Sequence, residues 1–452
     1  MTVELERPPA IDEVLQDASR LRRALSLETH ERVALLTAKY RPWRKVKRIA
    51  RDIGVDPLEA WCFLTMIRSS NRVQLPLRSA EGRAFRYGVG AAMLEPLHRI
   101  DVAVGGGATA LDTADGVLAD PDNQRRFRIR TLMDEAIESS RIEGAVSTRK
   151  NAIELLRSGR APSTRHERMF VNNYAAMREI KHRLAEPLSV GMLVDLQRIL
   201  TQGTLNHDDE GGRLRVPGED VRVVDDRDGS IVFVPPDAMG LERRLEAVCE
   251  FANETHVGDR FIHPIVKACI LHFMVGYEHP FVDGNGRTAR AVFYWAALRQ
   301  GYRIFEYLTI SDIIREGTSK YPQAYLDSEL DSGDLTYFIL YKLGVIEQSL
   351  ARLAAHLSHE EAKIKQSEVF IRVSKDLNLR QRLLLSHALR HPKTMYTAKS
   401  HATSNGITEN TARADLLGLE RKRFLTRFMD GKTTMFQLAP GLAAKLAKKA
   451  KA

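Results

Sequence analysis

The chain has 452 residues, 44% of them hydrophobic and 28% charged. That is too long for one ordinary core, and close enough to the globular average to exclude disordered, fibrous and collagen-like chains. The balance of 68 Lys+Arg against 58 Asp+Glu gives +10, but 17 basic and 5 acidic residues fall between Ile371 and Ala452, a local excess of 12 that leaves −2 elsewhere.

A near-neutral body thus precedes a module whose charge suits a polyanion. Cys62, Cys249 and Cys269 show neither a C-x-x-C pair nor a metal-ligand spacing, so a reducing compartment is expected. The polar start, Met1 to Val14, lacks a secretory core, and the longest apolar run, Ala268 to Tyr277, is too short to span a bilayer. The expected localisation is cytoplasmic, without a membrane partner.

Apolar residues at spacings of three and four predict helices over Ile11 to Leu25, His30 to Tyr40, Pro57 to Arg68 and Gly88 to Asp101, so residues 1–110 read as an N-terminal all-α region. Gly105-Gly106-Gly107 and the polar stretch Asp115 to Asn123 read as a connecting loop. Helical runs follow at Phe127 to Arg141, Thr164 to Leu184 and Ser189 to Gln202. Val221 to Val224 and Ile231 to Val234 then flank a turn-rich Asp225 to Gly229, which predicts a hairpin among helices. Further helices are predicted at Ala238 to Glu254, Ile265 to Glu278, Arg287 to Gln300 and Thr336 to Ile364.

Between two of these runs stands His279-Pro280-Phe281-Val282-Asp283-Gly284-Asn285-Gly286-Arg287-Thr288-Ala289-Arg290. Pro280 disfavours helix at His279, which presents the imidazole from a turn. The N–H groups of Gly284, Asn285 and Gly286, at the start of the next helix, can cradle an anion. Arg287 and Arg290, three apart, share a face of that helix and oppose its macrodipole unless an anion binds there. Asp283 beside such a site suits a Mg²⁺ ligand bridging to phosphates.

This string resembles the Fic family signature, H-x-F-x-[DE]-G-N-G-R-x-x-R, at every defined position. The resemblance implies a mainly α fold, a helical Fic core with a β-hairpin flap, and transfer of AMP from ATP to a Ser, Thr or Tyr hydroxyl of a target protein or of the chain itself. It makes His279 the general base and Asp283 the Mg²⁺ ligand. It assigns ATP phosphates to Gly284, Asn285, Gly286, Arg287 and Arg290, the last at the γ-phosphate. Gly212 to Arg215 with the hairpin is similar to the family's flap, so Val221, Arg222, Val223 and Val224 would dock the target segment by main-chain hydrogen bonds. Ile310 to Tyr321 and Gly333-Asp334 look like the segment closing the adenine pocket, with Tyr321-Pro322 in place of a tyrosine pair and Tyr321 in contact with ATP.

Ser139-Ser140-Arg141-Ile142-Glu143-Gly144 matches the family's inhibitory pattern, [ST]-x-x-x-E-[GN]. On a helix Ser139 and Glu143 lie one turn apart on one face, and Glu143 would pair with Arg290 and spoil the pose of ATP. In some family members this glutamate also serves AMP removal.

Leu379 to His391, Thr397 to Ser404 and a second helix opened by Thr408 read as helix, turn and helix. Phe424 to Met429 and Thr433 to Leu438, joined by Asp430-Gly431, read as a hairpin. The order resembles a winged helix-turn-helix, with Asn410 and Arg413 facing DNA and Arg421, Lys422 and Lys432 on phosphates. Such modules commonly act on paired half-sites, which admits a homodimer. The expected domains are 1–110, a Fic core at 111–365 with an inhibitory helix at 127–144, a winged helix at 371–440 and a basic tail at 441–452. The competing reading is a transcriptional regulator whose Fic core senses nucleotide or autoregulates.

Overall fold

A computed structural model describes the chain except residues 1–5, 112–120, 220, 225–228, 230, 318, 375, 432 and 450–452. It divides into two compact units, one of residues 1–104 and 130–349, the other of residues 105–129 and 350–452. The architecture is mainly helical, and the described strands form only two-stranded antiparallel pairs. Among the described residues no helix is long and apolar enough to cross a membrane.

The first unit opens with α1 (Asp12–Gln16), α2 (Ala18–Ala24), α3 (Leu27–Thr37), α4 (Trp43–Asp52) and α5 (Pro57–Ser69). Asp17 splits the first predicted helix because its carboxylate turns to cap the amides of Ser19 and Arg20. Val33, Leu36, Trp43, Val46, Trp61 and Leu64 close the core of this region. It is not all-α: β1 (Arg72–Arg78) and β2 (Ala84–Gly88) pair antiparallel, with Val73 opposite Tyr87. Leu75 and Leu77 alternate into the interior, the two-residue period of a half-buried strand.

Next come α6 (Ala91–Leu111), α7 (Pro121–Ile142), α8 (Arg149–Ser158), α9 (Arg165–His182) and α10 (Val190–Thr201). The predicted loop at Gly105 to Gly107 is instead part of α6, which carries three glycines at about 1 kcal/mol each. Residues 121–123 of the other predicted loop stretch begin α7. The central hairpin is shorter than predicted: β3 (Val223–Val224) pairs with β4 (Ile231–Phe233), while Val221 and Arg222 precede the strand and Asp225 to Asp228 lie outside the described residues.

Then follow α11 (Leu241–Asn253), α12 (Pro264–Glu278), α13 (Asn285–Arg299), α14 (Ile310–Glu316), α15 (Lys320–Leu330) and α16 (Thr336–Val373). Helices α12 and α13 are buried almost all round, as their apolar sequences require. Phe273 stacks on Tyr325 at 5.0 Å between ring centroids, and Tyr325 meets Phe338 at 4.5 Å. Such pairs add about 0.5–1.5 kcal/mol each beyond buried area.

The second unit contains α17 (Leu379–Arg390), α18 (Ala398–Asn405), α19 (Glu409–Arg421), β5 (Leu425–Asp430), β6 (Thr433–Leu438) and α20 (Leu442–Lys449). Its core is built from Leu384, Leu385, Leu389, Leu416, Leu419 and Phe436. Gly406, at φ +61°, ends α18, and Thr408 caps α19. Strands β5 and β6 pair from Leu425 opposite Leu438 to Asp430 opposite Thr433. Leu442 and Leu446 of the predicted tail pack into this core as an amphipathic helix.

Candidate active site

Pro264 starts α12 and Pro280 follows its end, so the chain leaves the helix through His279, which caps it at φ 46°. Three contacts hold that turn. The guanidinium of Arg215 donates to the carbonyls of His279 at 2.8 Å, Glu278 at 3.2 Å and Pro236. The ring Nδ1 lies 3.0 Å from the Gly276 carbonyl, which requires Nδ1 to carry the proton and leaves Nε2 as an acceptor. Burial pushes the imidazole below its ordinary value, against the opposing pull of the Gly276 carbonyl and Glu143.

The loop to α13 is locked from within. Asn285 accepts from the Phe281 amide at 2.9 Å and donates to the Phe281 carbonyl at 2.7 Å, and Phe281 is fully buried. The side chain of Asn285 therefore holds the loop. Its backbone amide and those of Gly286 and Arg287 have no acceptor among the described residues, the ordinary state of a helix N-terminus. Gly284 caps the helix at φ +91°, and a Cβ there would lie 2.9 Å from Thr201.

The two arginines do not share a destination. Arg287, 1% exposed, donates to the Leu200 carbonyl at 2.9 Å and to Asp283 Oδ1 at 3.0 Å. Arg290 turns to α7, donating to Ser139 Oγ at 2.8 Å, the Ser139 carbonyl at 2.9 Å and Glu143 Oε1 at 2.8 Å. Burial alone would raise the Glu143 carboxyl, but Arg290 and then Arg287 outweigh it and hold the group below its ordinary value. Gly144 leaves the helix at φ +81°. The end of α7 is anchored elsewhere too: Glu135 accepts from the Ser311 amide at 3.0 Å, and Glu138 pairs with Arg315 and Arg141.

A cavity of about 390 Å³ joins these parts. Its walls include Glu143, His279, Asp283, Gly286, Tyr321 and Phe233, with Arg222 and Val223 of the flap segment. The Tyr321 hydroxyl is 2.7 Å from His272 Nε2. Among the described residues there is no cluster of three metal-ligating side chains. Asp283 spends Oδ1 on Arg287 and the Gly284 amide, while Oδ2 has no partner among them. One half-exposed carboxylate oxygen fits a Mg²⁺ that arrives on phosphates rather than a resident metal.

Two positioning residues were assigned no role from the sequence. In the sequence Arg215 stands out only as part of the flap string. Gln197 donates to the Asp283 carbonyl at 3.2 Å and accepts from the Gly212 amide at 2.6 Å, tying loop to flap. A glutamine between Leu193, Leu196 and Leu200 on a buried helix was the available signal. In the second unit Asn410, Arg413, Arg421 and Lys422 are exposed, and Lys432 lies outside the described residues.

Residues 187–297 match the Fic/DOC family, so the chain carries a Fic/DOC domain over that stretch. The protein adenylyltransferase Fic of Nematostella vectensis is 36% identical over 69 residues, which are 15% of this chain and 16% of that one. Its counterpart in Drosophila erecta is 32% identical over 69 residues, 15% and 14% of the two chains. The match thus spans about one-seventh of these curated relatives. A Fic family protein from Desulfovibrio desulfuricans G20 shares the fold at a TM-score of 0.53 and 19% identity, over 78% of this chain and 98% of that one. Fic-1 from C. elegans does so at 0.52 and 19%, over 77% and 92%.

Proposed function

We propose that the protein transfers AMP from ATP to a Ser, Thr or Tyr hydroxyl of a target protein or of itself, and that Glu143 restrains it. The observation that carries this reading is one cavity lined by His279, an imidazole with an accepting Nε2, and by Asn285 and Gly286, whose backbone amides have no acceptor among the described residues.

In this reading the amides of Asn285, Gly286 and Arg287 take the α-phosphate oxygens. His279 Nε2 accepts the proton of the attacking hydroxyl as its oxygen bonds to the α-phosphorus. The bond from that phosphorus to its bridging oxygen breaks, and pyrophosphate leaves with the electron pair. Magnesium would neutralise phosphate charge, held by Asp283 Oδ2. The edge of β3, with Val221 and Arg222 before it, would align the target segment. Arg290 is the natural γ-phosphate ligand, and its pairing with Glu143 and Ser139 keeps it from that role. The same glutamate near the cavity is compatible with AMP removal as a reverse activity.

Intact-mass spectrometry after incubation with ATP and Mg²⁺ tests this. Glu143→Gly should gain an adenylyl adduct that wild type lacks, and Glu143→Gly/His279→Ala should lose it. An adduct that survives His279→Ala removes His279 as the base.

For the second unit the exposed Asn410 and Arg413 on α19, with its basic excess, favour a winged helix-turn-helix on DNA. Duplex binding that weakens with salt and with Arg413→Ala, while adduct formation persists, would make the two activities separate. No salt-sensitive binding of any duplex would remove the DNA reading.

A further inference from the structure

The helix that closes the aromatic end of the cavity works on two sides. Tyr321, Tyr325, Leu326 and Glu329 of α15 line the cavity. Asp327, also on α15 and 9% exposed, receives the fork of Arg44 from α4, Nε at 3.2 Å and Nη2 at 3.1 Å, and the amide of Gln323 at 2.9 Å. Eleven residues without a side-chain cap are too few to hold a helix in place by themselves.

The chain after α15 is stitched to the same N-terminal region. Arg86 of β2 exchanges backbone bonds with this segment, its amide donating to Gly333 at 3.1 Å and its carbonyl accepting from Leu335 at 2.8 Å. The Arg86 guanidinium donates to the carbonyls of Asp331 at 2.9 Å and Ser332 at 3.0 Å. A Cβ on Gly333 would lie 2.8 Å from Phe85, and its φ of +79° suits glycine. The Tyr40 hydroxyl donates to Asp334 at 2.7 Å, and the Gly88 amide donates to Thr336 at 2.8 Å.

We infer that α4 and the β1–β2 hairpin form a clamp that sets the position of α15, with Arg44 and Arg86 as positioning residues for the base of the nucleotide. The inference rests on the nucleotide reading of the cavity. It gives the N-terminal region a task in substrate binding: Arg44 grips, through Asp327, the helix whose Tyr321 and Tyr325 would enclose the base. A planar fork matched to a carboxylate fixes both distance and angle, which a greasy contact does not.

Hydrogen exchange and ATP titration of the full chain test it. In Arg44→Ala, amides of residues 320–330 should exchange about tenfold faster, the factor one charge-assisted hydrogen bond is worth, while α12 and α13 keep their protection. The Kd for ATP should rise by about the same factor, and in a Glu143→Gly background KM for ATP should follow it with kcat within about twofold. The reversed pair, Arg44→Asp with Asp327→Arg, should recover what Arg44→Asp loses. Unchanged protection of α15 in both Arg44→Ala and Arg44→Asp overturns the clamp. A wild-type chain that binds no ATP, while Arg44→Ala still loosens α15, instead overturns the nucleotide reading and leaves the clamp on the helix standing.

Discussion

Glu143 Oε1 lies 2.8 Å from Arg290 Nη2 and fills the space that a side chain on Gly286 would need, since a Cβ there would be 2.3 Å from that oxygen. The carboxylate therefore rests against the first turn of α13, where the unpaired amides are. Gly286 is helical, so its want of a side chain answers to this close approach and not to backbone strain.

Replacing Gly286 by alanine separates two ways of breaking that contact. The methyl group should push the flexible Glu143 carboxylate off Arg290, at a cost of about 1–2 kcal/mol for disturbing a partly buried charged hydrogen bond. The same methyl takes over the volume it clears. Gly286→Ala should thus be less stable to urea and form no adenylyl adduct, whereas Glu143→Gly should form one. An adduct on Gly286→Ala equal to that on Glu143→Gly would show that the space over Gly286 is not needed by substrate.

Arg215 should act on rate and on pH dependence together. It holds the carbonyls of Glu278 and His279, and its charge also helps to depress the imidazole. In a Glu143→Gly background, Arg215→Ala should lower kcat about tenfold to a hundredfold through misplacement of His279. If His279 is the base proposed above, the acidic limb of the rate profile should report its protonation, which burial, with Arg215 adding to it, holds below the ordinary imidazole value. Losing a nearby positive charge raises that group, so the limb should move toward higher pH. A fall in kcat with no movement of the limb would confine Arg215 to a geometric role.

The loop from His279 to Arg290 was legible because scarce residue types stand there in fixed order, and each does local work: a proline ends a helix, a glycine caps the next. The contact of Glu143 with Arg290 was legible for the same reason, being helical spacing plus one charge, whereas the bonds of Ser139 to Arg290 were not foreseen. The N-terminal hairpin was not. Val73, Leu75 and Leu77 alternate as a strand does, but Pro76 interrupts the run and helices flank it, so the period-two signal is short. Arg44, Arg86 and Arg215 were illegible as anchors, because their partners lie 283, 245 and 64 residues away, and nothing local distinguishes them from solvated arginines.

Lys342 of α16 shows a cost that no sequence pattern announces. It is fully buried, its Nζ has no hydrogen-bond partner among the described residues, and it stands 4.0 Å from the centroid of the Phe293 ring. Burial pushes the amine down to about 8, with Cys269 and Glu135 opposing and Arg290 adding to the shift. The unfolded chain then binds more protons than the folded one between pH 8 and the ordinary lysine value of 10.5, so this residue's contribution to stability rises with pH across that window. Below pH 8 the full penalty applies. Lys342→Met, which keeps the volume and removes the charge, should stabilise the chain by about 1–3 kcal/mol at pH 7, part of the gain being offset by the lost cation–π contact. The gain over wild type should shrink as urea unfolding is repeated at rising pH and be nearly gone above the ordinary lysine value. A variant less stable than wild type at both ends of that range would mean that the ammonium group is held by a partner, and that the charge near Arg290 is there to be used.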